Sequence, residues 1–369
     1  MKKFFAVLLS VLMVLSLVGC SSKTEDTATS DATEETAEGI SVGFVTDTGG
    51  IDDKSFNQTT YEGLLQFKDE NPSTEVNYLQ SNSDTDYVPN LTTFADEGVD
   101  LIAAAGYLFA DAICEVLDSY PDQKAIVIDV NWLDTEKYPN LKQVAFAVEQ
   151  GTYLAGIAAG MKAVENGSKH VGMIIGNESA SMDPFYAGFQ QGVWAVDDTI
   201  VIDYDNAASF SSSETGYTLA EKQYNNGATV IFACAGSTGN GVFANAVERN
   251  KAGEEVWVIG VDTDQYDLGV YDDAGDSCAL TSAMKRVDVA AYDAAKEVAE
   301  GTFKGGVVTY TLADKGVSLP TSNPNLTDDV LAKVDEATEA IVAGTITAST
   351  AAVYGDTDSR VNGLYGSAQ

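Results

Sequence analysis

The feature that most constrains the fold of this chain is a repeated alternation of short β-branched segments with amphipathic helical segments. Each apolar segment is four to six residues long and is followed by a stretch in which apolar residues recur with helical spacing. The predicted strands are residues 42–45, 76–79, 101–105 and 125–130, and then 171–175, 200–203, 230–233 and 256–261. Alternating strands and helices form parallel sheets with right-handed crossovers. Two series of four strands therefore predict an α/β protein with two doubly wound lobes.

The helical segments between these strands have one apolar face each. One example places Phe109, Ala112, Ile113, Val116, Leu117 and Tyr120 on the same side. Another begins at Ser55, which with Gln58 has the S-x-x-Q form of a capping box. We therefore predict that a helix begins here and that the Ser55 side chain caps it.

The first 20 residues are predicted to be an export signal that ends at a lipidation site. Lys2 and Lys3 supply a positive start, residues 4–18 are almost unbroken apolar sequence, and Gly19 precedes Cys20. A run this short, with a charged start and a small residue at its exit, is typical of a cleaved signal rather than a spanning helix. The end resembles the lipobox of bacterial lipoproteins, which implies a signal peptide over residues 1–19 and lipidation of Cys20 at the outer face of the cell membrane. An ordinary signal with a chance cysteine is the alternative.

Residues 20–39 are predicted to be a flexible linker, because they are rich in Ser, Thr, Ala and acidic residues and have no aromatic side chain. The rest of the chain, about 330 residues, suits two domains of ordinary size. The formal charge of −36 becomes −38 once Lys2 and Lys3 are removed. Such a surface repels nucleic acid, so we predict no nucleic-acid partner. The membrane contact should come from the lipid alone.

Apart from Cys20, the cysteines are Cys114, Cys234 and Cys278. Their spacing matches no zinc or redox motif, and an odd number in an exported chain cannot pair fully. Three buried thiols are expected, with one disulfide plus a free thiol as the alternative.

The motifs of nucleotide enzymes and metal sites are missing. No G-x-G-x-x-G follows the first strand, and no GK[ST] occurs. The acidic clusters near Asp262 and Asp272 lack the glycine and glutamate of a calcium loop. His170 is the single histidine, which argues against a Ser-His-Asp device or a histidine metal site. We therefore predict a non-enzyme with no cofactor and no metal.

Ligands of open α/β sheets bind at the carboxyl ends of the strands. In this chain those ends carry carboxylates, amides, aromatic rings and glycines, with few basic groups. The residues of interest are Asp47, Phe56, Asn57, Tyr107, Asp129, Phe210, Gly236 and Asp262. Phosphates need basic groups, whereas carboxylates accept hydrogen bonds from hydroxyl and ring N–H groups, and aromatic faces stack on flat rings. A nucleoside has both kinds of group.

Four ordered segments resemble the basic membrane protein family of solute-binding lipoproteins, which includes purine nucleoside receptors. They are VTDTGGIDDKSFNQ at residues 45–58, AGSTGNGV at 235–242, VWVIGVDTDQ at 256–265, and LTSAMKR at 280–286 followed by Asp288 and Val289. The resemblance extends from about Val42 to Asn325. It implies the type I periplasmic-binding-protein fold, with two lobes, a hinge of three crossovers and a ligand in the cleft. It also implies an ABC importer permease as partner, and we expect a monomer.

The resemblance further implies a role for each site residue. Phe56 and Phe210 would sandwich the base, and Asp47 and Asn57 would read its edge. Asp129, Asp262 and Lys285 would hold the ribose, Gly236 would let the backbone approach, and Tyr107 joins them as a ligand-binding residue. Asp52 and Asp53 are equally consistent with helix capping, and Lys285 with pairing to a cleft carboxylate.

The chain departs from the family pattern at two places. Ser237 stands where glycine is common, and residues 178–184 differ from the usual methionine-rich loop, which leaves one wall of the cleft undefined. The predicted lobes are residues 40–145 plus 263–302 and residues 146–262 plus 303–344, followed by an unmatched tail at 345–369.

Three other functions remain open from the sequence. The same fold could bind a sugar, an autoinducer or another small polar solute. The protein could be a surface sensor or adhesin without transport. A nucleoside hydrolase would need a metal or a base–nucleophile pair, for which Asp47 with Asp52 and Asp53 is the nearest candidate.

Overall fold

The computed structural model describes residues 39–322 and 324–351. The predicted signal peptide, the lipidation site Cys20 and the linker up to residue 38 lie outside the described residues. In the described part, two six-stranded sheets form two α/β lobes. This confirms the predicted fold class.

The N-terminal lobe contains the first sheet, whose strand order is β11-β5-β4-β3-β1-β2 and whose pairs are all parallel. Its strands are β1 Ser41–Thr46, β2 Glu75–Gln80, β3 Leu101–Ala105, β4 Ala125–Ile128, β5 Leu141–Phe146 and β11 Gly306–Tyr310. Its helices are α1 Phe56–Glu70, α2 Tyr87–Glu97, α3 Ala110–Ser119 and α8 Val287–Ala299, of which α8 packs on α1.

The C-terminal lobe repeats this order as β12-β10-β9-β8-β6-β7, with only β12 antiparallel. Its strands are β6 His170–Ile175, β7 Val201–Asn206, β8 Val230–Cys234, β9 Trp257–Asp262, β10 Ala279–Lys285 and β12 Val317–Ser318. Its helices are α4 Val148–Glu165, α5 Asp183–Val196, α6 Ser213–Asn225, α7 Ser237–Lys251 and α9 Asp328–Val342.

The chain crosses between the lobes three times within the described residues. The crossings are at Ala147 between β5 and α4, at Arg286 between β10 and α8, and at residues 311–316 between β11 and β12. The backbone N–H of Ala147 donates to Tyr310 (2.8 Å), and that of Arg286 donates to Gly316 (2.9 Å). These bonds tie neighbouring crossings together, so the hinge is a connected unit.

The predicted lobe boundaries need two corrections. Residues 263–302 were assigned to the N-terminal lobe, but β10 pairs with β9 in the second sheet. Residues 303–344 were assigned to the C-terminal lobe, but β11 pairs with β5 in the first sheet. β10 comes before the crossing at Arg286 and stays in the sheet of β9, whereas β11 comes after that crossing and joins β5. The periodicity of a strand does not indicate which sheet it joins.

The segment beyond Gly344 also differs from the prediction. Residues 345–351 are not a separate tail, because Ile346 and Ala348 pack on the core. The Gln191 side chain on α5 donates to the carbonyl of Thr347 (3.1 Å) and accepts from the N–H of Ser349 (2.7 Å).

The three cysteines in the described residues are free thiols, with Cys234 and Cys278 buried and Cys114 half-buried. His170 begins β6 and lies 3.2 Å from Asp203, which agrees with its predicted position at a strand end. In the parts of the chain that the structure covers, no helix combines the length and the apolar character needed to cross a bilayer.

Candidate functional site

A cavity lies between the two lobes, at the carboxyl ends of the strands of both sheets. The space not occupied by protein atoms measures about 590 Å³, including the part open to solvent, which is within the usual range for small-molecule sites. All nine predicted ligand-binding residues line it: Asp47, Phe56, Asn57, Tyr107, Asp129, Phe210, Gly236, Asp262 and Lys285. The structure therefore brings the predicted set together.

The loop between β1 and α1 is shaped by the buried carboxylate of Asp53. One of its oxygens accepts from the backbone N–H groups of Ser55 (2.9 Å) and Gln58 (3.1 Å), and the other accepts from the backbone N–H of Asn57 (2.9 Å). Burial raises the pKa of Asp53, and these hydrogen bonds oppose the rise. Asp53 therefore holds the start of α1 rather than offering a free oxygen to the cavity.

The predicted capping by Ser55 is wrong. The Ser55 side chain makes no capping hydrogen bond to α1. Its hydroxyl instead donates to Oδ2 of Asp262 in the other lobe (2.6 Å). Because Asp53 already satisfies the backbone donors of the first turn, the Ser55 hydroxyl is left to join the lobes.

Asp47 presents one carboxylate oxygen to protein donors and the other toward the cavity. Its Oδ1 accepts from the side-chain amide of Asn57 (2.7 Å) and from the backbone N–H of Gly49 (2.8 Å). Its Oδ2 lies beside Gly106, since a Cβ added there would be 3.4 Å from that oxygen and 3.5 Å from the Phe56 ring. Burial raises the pKa of Asp47 to about 6, against hydrogen bonds that lower it. Oδ2 is therefore a poorly solvated acceptor at the cavity wall.

Asn57 orients this carboxylate. Its side-chain N–H group donates to Asp47 and also to Asp53 (3.0 Å), and its oxygen accepts from the backbone N–H of Asp47 (3.1 Å). Its amide hydrogens are thus committed within the protein, so Asn57 acts on a ligand chiefly by positioning Asp47.

Lys285, the last residue of β10, places its ammonium between the lobes. Nζ is 2.7 Å from Oδ2 of Asp129 and 3.5 Å from Oδ1 of Asp262. It also lies over the Phe56 ring, 4.4 Å from the centroid. Burial alone disfavours the ammonium, but the two carboxylates outweigh that effect and the pKa of Lys285 is raised. Lys285 is therefore charged and already paired before any ligand binds.

Asp129 and Asp262 occupy equivalent positions in the two lobes. Asp129 directly follows β4 and Asp262 ends β9, and these strands hold the same place in their sheets. Both residues have left-handed backbone conformations, with φ of +64° and +68°. Such conformations in non-glycine residues are strained and concentrate at functional sites. The strain is consistent with the need to turn both carboxylates toward Lys285.

The two aromatic residues predicted to stack come from different lobes. Phe56 is the first residue of α1, and Phe210 lies in the loop between β7 and α6. The Phe210 ring packs against Gly176, where an added Cβ would be 2.2 Å from its carbon atoms. The Phe210 carbonyl accepts from the N–H of Thr238 (3.2 Å), next to Gly236, whose φ is +54°. Only residues without a bulky side chain fit behind this ring.

Several lining residues were not predicted as site residues, namely Gly49, Gly106, Leu108, Ser181, Met182, Phe185, Cys234, Ala235 and Val261, as well as Asp53. Ser181, Met182 and Phe185 form the wall that the sequence left undefined. Ser181 and Met182 could have been identified from their position in the chain, because their loop follows β6 at the sheet edge where the other site residues lie. Phe185 fits the apolar face of α5, so its sequence pattern indicated a core residue and not a residue that lines the cavity.

Among the described residues that line the cavity there are four carboxylates and one ammonium. The same part of the chain holds no cluster of three or more His, Cys, Asp or Glu side chains suited to a metal ion. The arrangement can accept hydrogen bonds from N–H and O–H groups and can contact a flat ring.

The chain is similar in sequence and in structure to known solute-binding proteins. Residues 40–350 match the family described as "ABC transporter substrate-binding protein PnrA-like". The chain is 39% identical to a CD4+ T-cell-stimulating antigen of Listeria innocua, over 94% of this chain and 98% of the relative. It is 34% identical to the ABC transporter nucleoside-binding protein BmpA of Lactococcus lactis, over 84% and 88%. A solute-binding protein of an ABC transporter system from Aeropyrum pernix has a similar structure, with a TM-score of 0.77 and 25% identity over 88% of this chain and 97% of that one.

We predict that the Asp47→Asn variant is more stable than the wild type at neutral pH. The pKa of Asp47 is about 6 in the folded protein and 3.8 as the ordinary value, so ionisation costs folding free energy as the pH rises through this window. The variant should gain about 1 to 3 kcal/mol of unfolding free energy at pH 7.5, and the gain should vanish toward pH 4. Urea unfolding at several pH values measures it.

The control is the Asp122→Asn variant. Asp122 is exposed and precedes β4, at the amino ends of the strands and away from the cavity. It should change the unfolding free energy by less than about 0.5 kcal/mol at each pH. A stability difference for Asp47→Asn that stays constant between pH 4 and pH 7.5 would contradict the assignment.

Proposed function

We propose that this chain, which belongs to the family of PnrA-like ABC transporter substrate-binding proteins, binds a purine nucleoside between its lobes and delivers it to an importer permease. The family consists of substrate-binding proteins and not of enzymes, and it implies a small-molecule ligand and a permease partner.

One observation carries the proposal. In the part of the chain that the structure describes, the cavity combines an aromatic ring from each lobe with four carboxylates, and its one ammonium is already paired with Asp129 and Asp262. A phosphate or carboxylate ligand would meet uncompensated negative charge there. A neutral molecule with a flat ring and several hydroxyl groups suits both features. The name of the Lactococcus lactis relative, a nucleoside-binding protein, supports the same ligand class.

Each part of the ligand has a proposed partner. Phe56 and Phe210 stack on the base, and the free oxygen of Asp47 accepts from an N–H group on its edge. Asp129 and Asp262 accept from the ribose hydroxyls, which lie near the Lys285 ammonium, and Tyr107 and Gly236 complete the wall. Asn57 contributes by holding Asp47.

A calorimetric panel tests the ligand class. Guanosine, inosine and adenosine are titrated into the protein beside ribose, glucose and guanosine monophosphate. We expect saturable binding of at least one purine nucleoside, and binding of the monophosphate weaker by at least about tenfold, because its phosphate enters a cavity rich in carboxylates. If only a sugar binds, or no nucleoside binds at millimolar concentration, the proposal fails.

A second test concerns stacking by Phe210. The Phe210→Ala variant should weaken nucleoside binding by at least about tenfold, since a stacking contact between a base and an aromatic ring contributes about 1–3 kcal/mol. The Phe210→Leu variant keeps apolar volume without the aromatic face and should also lose affinity. Titration calorimetry gives both affinities, and thermal unfolding checks that each variant folds. Wild-type affinity in the alanine variant would remove Phe210 from the site.

We also propose that the mature protein is held at the outer face of the cell membrane by lipid on Cys20, followed by the linker of residues 20–39. In cells given a labelled fatty acid, the wild type should take up label, while the Cys20→Ser variant should lose it and be released into the medium. The Cys114→Ser variant is the control and should remain labelled and attached. A labelled, attached Cys20→Ser protein would contradict the anchor.

A further inference from the structure

In addition to the bonds of the Ser55 hydroxyl, three hydrogen bonds join the lobes beside the cavity, and they use neither the charged groups nor the aromatic rings of the site. Ser237 Oγ donates to the carbonyl of Gly49 (2.9 Å), Asn240 Nδ2 to that of Asp53 (3.1 Å), and Gln265 Nε2 to that of Lys54 (2.7 Å). The donors belong to the C-terminal lobe: Ser237 and Asn240 lie in the first turn of α7, and Gln265 follows β9. We call these three side chains the interlobe latch.

All three acceptors lie in one segment of the N-terminal lobe, residues 49–54. This segment begins two residues after Asp47 and ends two residues before Phe56, which Asn57 follows. It includes Lys54, whose φ of +59° is a strained conformation for a residue with a side chain. The latch therefore contacts the piece of backbone that sets the positions of the proposed base-binding residues.

The donors are fixed within their own lobe. Gln265 is 5% exposed, its side-chain oxygen accepts from the backbone N–H of Val261 (2.9 Å), and its backbone N–H donates to the Ser282 hydroxyl (3.0 Å). Ser237 and Asn240 are on the helix that packs against α6. Together with the Ser55–Asp262 hydrogen bond and the Lys285–Asp129 ion pair, these three bonds join the two lobes, and the lobes cannot separate without breaking them.

None of the three donors lines the cavity, so their effect on a ligand is indirect. We propose that Ser237, Asn240 and Gln265 are positioning residues that set how long the ligand stays bound, because they hold the 49–54 segment against the C-terminal lobe. Ser237 contributes a donor at a position where a glycine would have none. The inference rests on the proposed function for the choice of ligand, but the latch itself can be measured without one.

Uncharged donors suit this position. An amide or hydroxyl bonded to a carbonyl contributes about a fivefold change in an equilibrium constant, less than a buried ion pair whose partner is removed. Three such bonds can hold the lobes together and still break in each cycle of ligand release. A charged donor here would also have to be desolvated beside the carboxylates of the cavity.

The test uses isosteric variants. Gln265→Glu keeps the side-chain oxygen that accepts from Val261 and replaces the NH2 group that donates to the Lys54 carbonyl with a second oxygen. Asn240→Asp likewise replaces the NH2 group that donates to the Asp53 carbonyl with an oxygen. Ser237→Ala removes only the hydroxyl that donates to Gly49, and it is used if an acidic variant does not fold. The matched control is Asn250→Asp on the same helix, whose side-chain N–H group donates to the carbonyls of Ala246 (2.9 Å) and Val256 (2.8 Å) within its own lobe.

Two measurements are made on each variant. Hydrogen–deuterium exchange in the ligand-free protein reports the N–H groups of Gly49, Ser55 and Asn57, which are protected by bonds to Asp47 and Asp53. Stopped-flow fluorescence with guanosine reports the association and dissociation rates. We expect each variant to speed dissociation about fivefold or more, with association changed less than about twofold, and to raise exchange at the three N–H groups.

The Asn250→Asp control should lower thermal stability and leave both measurements at wild-type values. Unchanged exchange and unchanged dissociation in folded Gln265→Glu and Ser237→Ala proteins would overturn the latch. If guanosine does not bind at all, the proposed ligand fails, while the exchange data still decide whether the latch holds the segment.

Discussion

The buried ammonium of Lys285, held between carboxylates from both lobes, is the interaction on which the arrangement of the site depends. An ammonium this deeply buried is tolerable only when it is paired, and loss of one partner from a buried pair costs several kcal/mol. Asp129 belongs to the N-terminal lobe and Asp262 to the C-terminal lobe. The charge of Lys285 is therefore fully compensated only when the lobes lie together, which couples electrostatics to the relative position of the lobes.

The same interaction explains the strained backbone on both sides of the cleft. Asp129 and Asp262 follow equivalent strands and share a left-handed conformation. The duplicated strand order of the two sheets thus produces two carboxylates that converge on one cation. Around them, burial raises the pKa of Asp47, Asp53 and Asp262, because each carboxylate has lost most of its hydration. Among the described residues that line the cleft, four carboxylates face one ammonium. Burying these carboxylates lowers the free energy of unfolding, but it leaves hydrogen-bond acceptors that a ligand with N–H and O–H groups would satisfy.

The sequence predicted which residues line the cavity better than it predicted the boundaries of the lobes. Strands β1 to β4 and β6 to β9 were predicted because each contains a short apolar run, but β5, β10, β11 and β12 were not identified. The exchange of β10 and β11 between the predicted lobes has the same origin: a strand has the same pattern whichever sheet it joins. Ser55 shows the limit of local motifs. Its capping-box spacing is genuine, yet Asp53, two residues earlier, satisfies the helix, and the Ser55 hydroxyl bonds to Asp262, which is 207 residues away.

By itself, the sequence determined which residues would gather at the cleft. The carboxyl ends of parallel strands share one edge of a sheet, so Asp47, Tyr107, Asp129, Phe210, Gly236 and Asp262 could be placed there from the order of strands and loops alone. Only the tertiary structure decided what each residue does there. Asn57 orients Asp47, Lys285 is paired in advance, Phe185 forms a wall, and Ser237, Asn240 and Gln265 bridge the lobes. These roles depend on burial and on distances between segments far apart in the chain, and neither is written in the local pattern of residues.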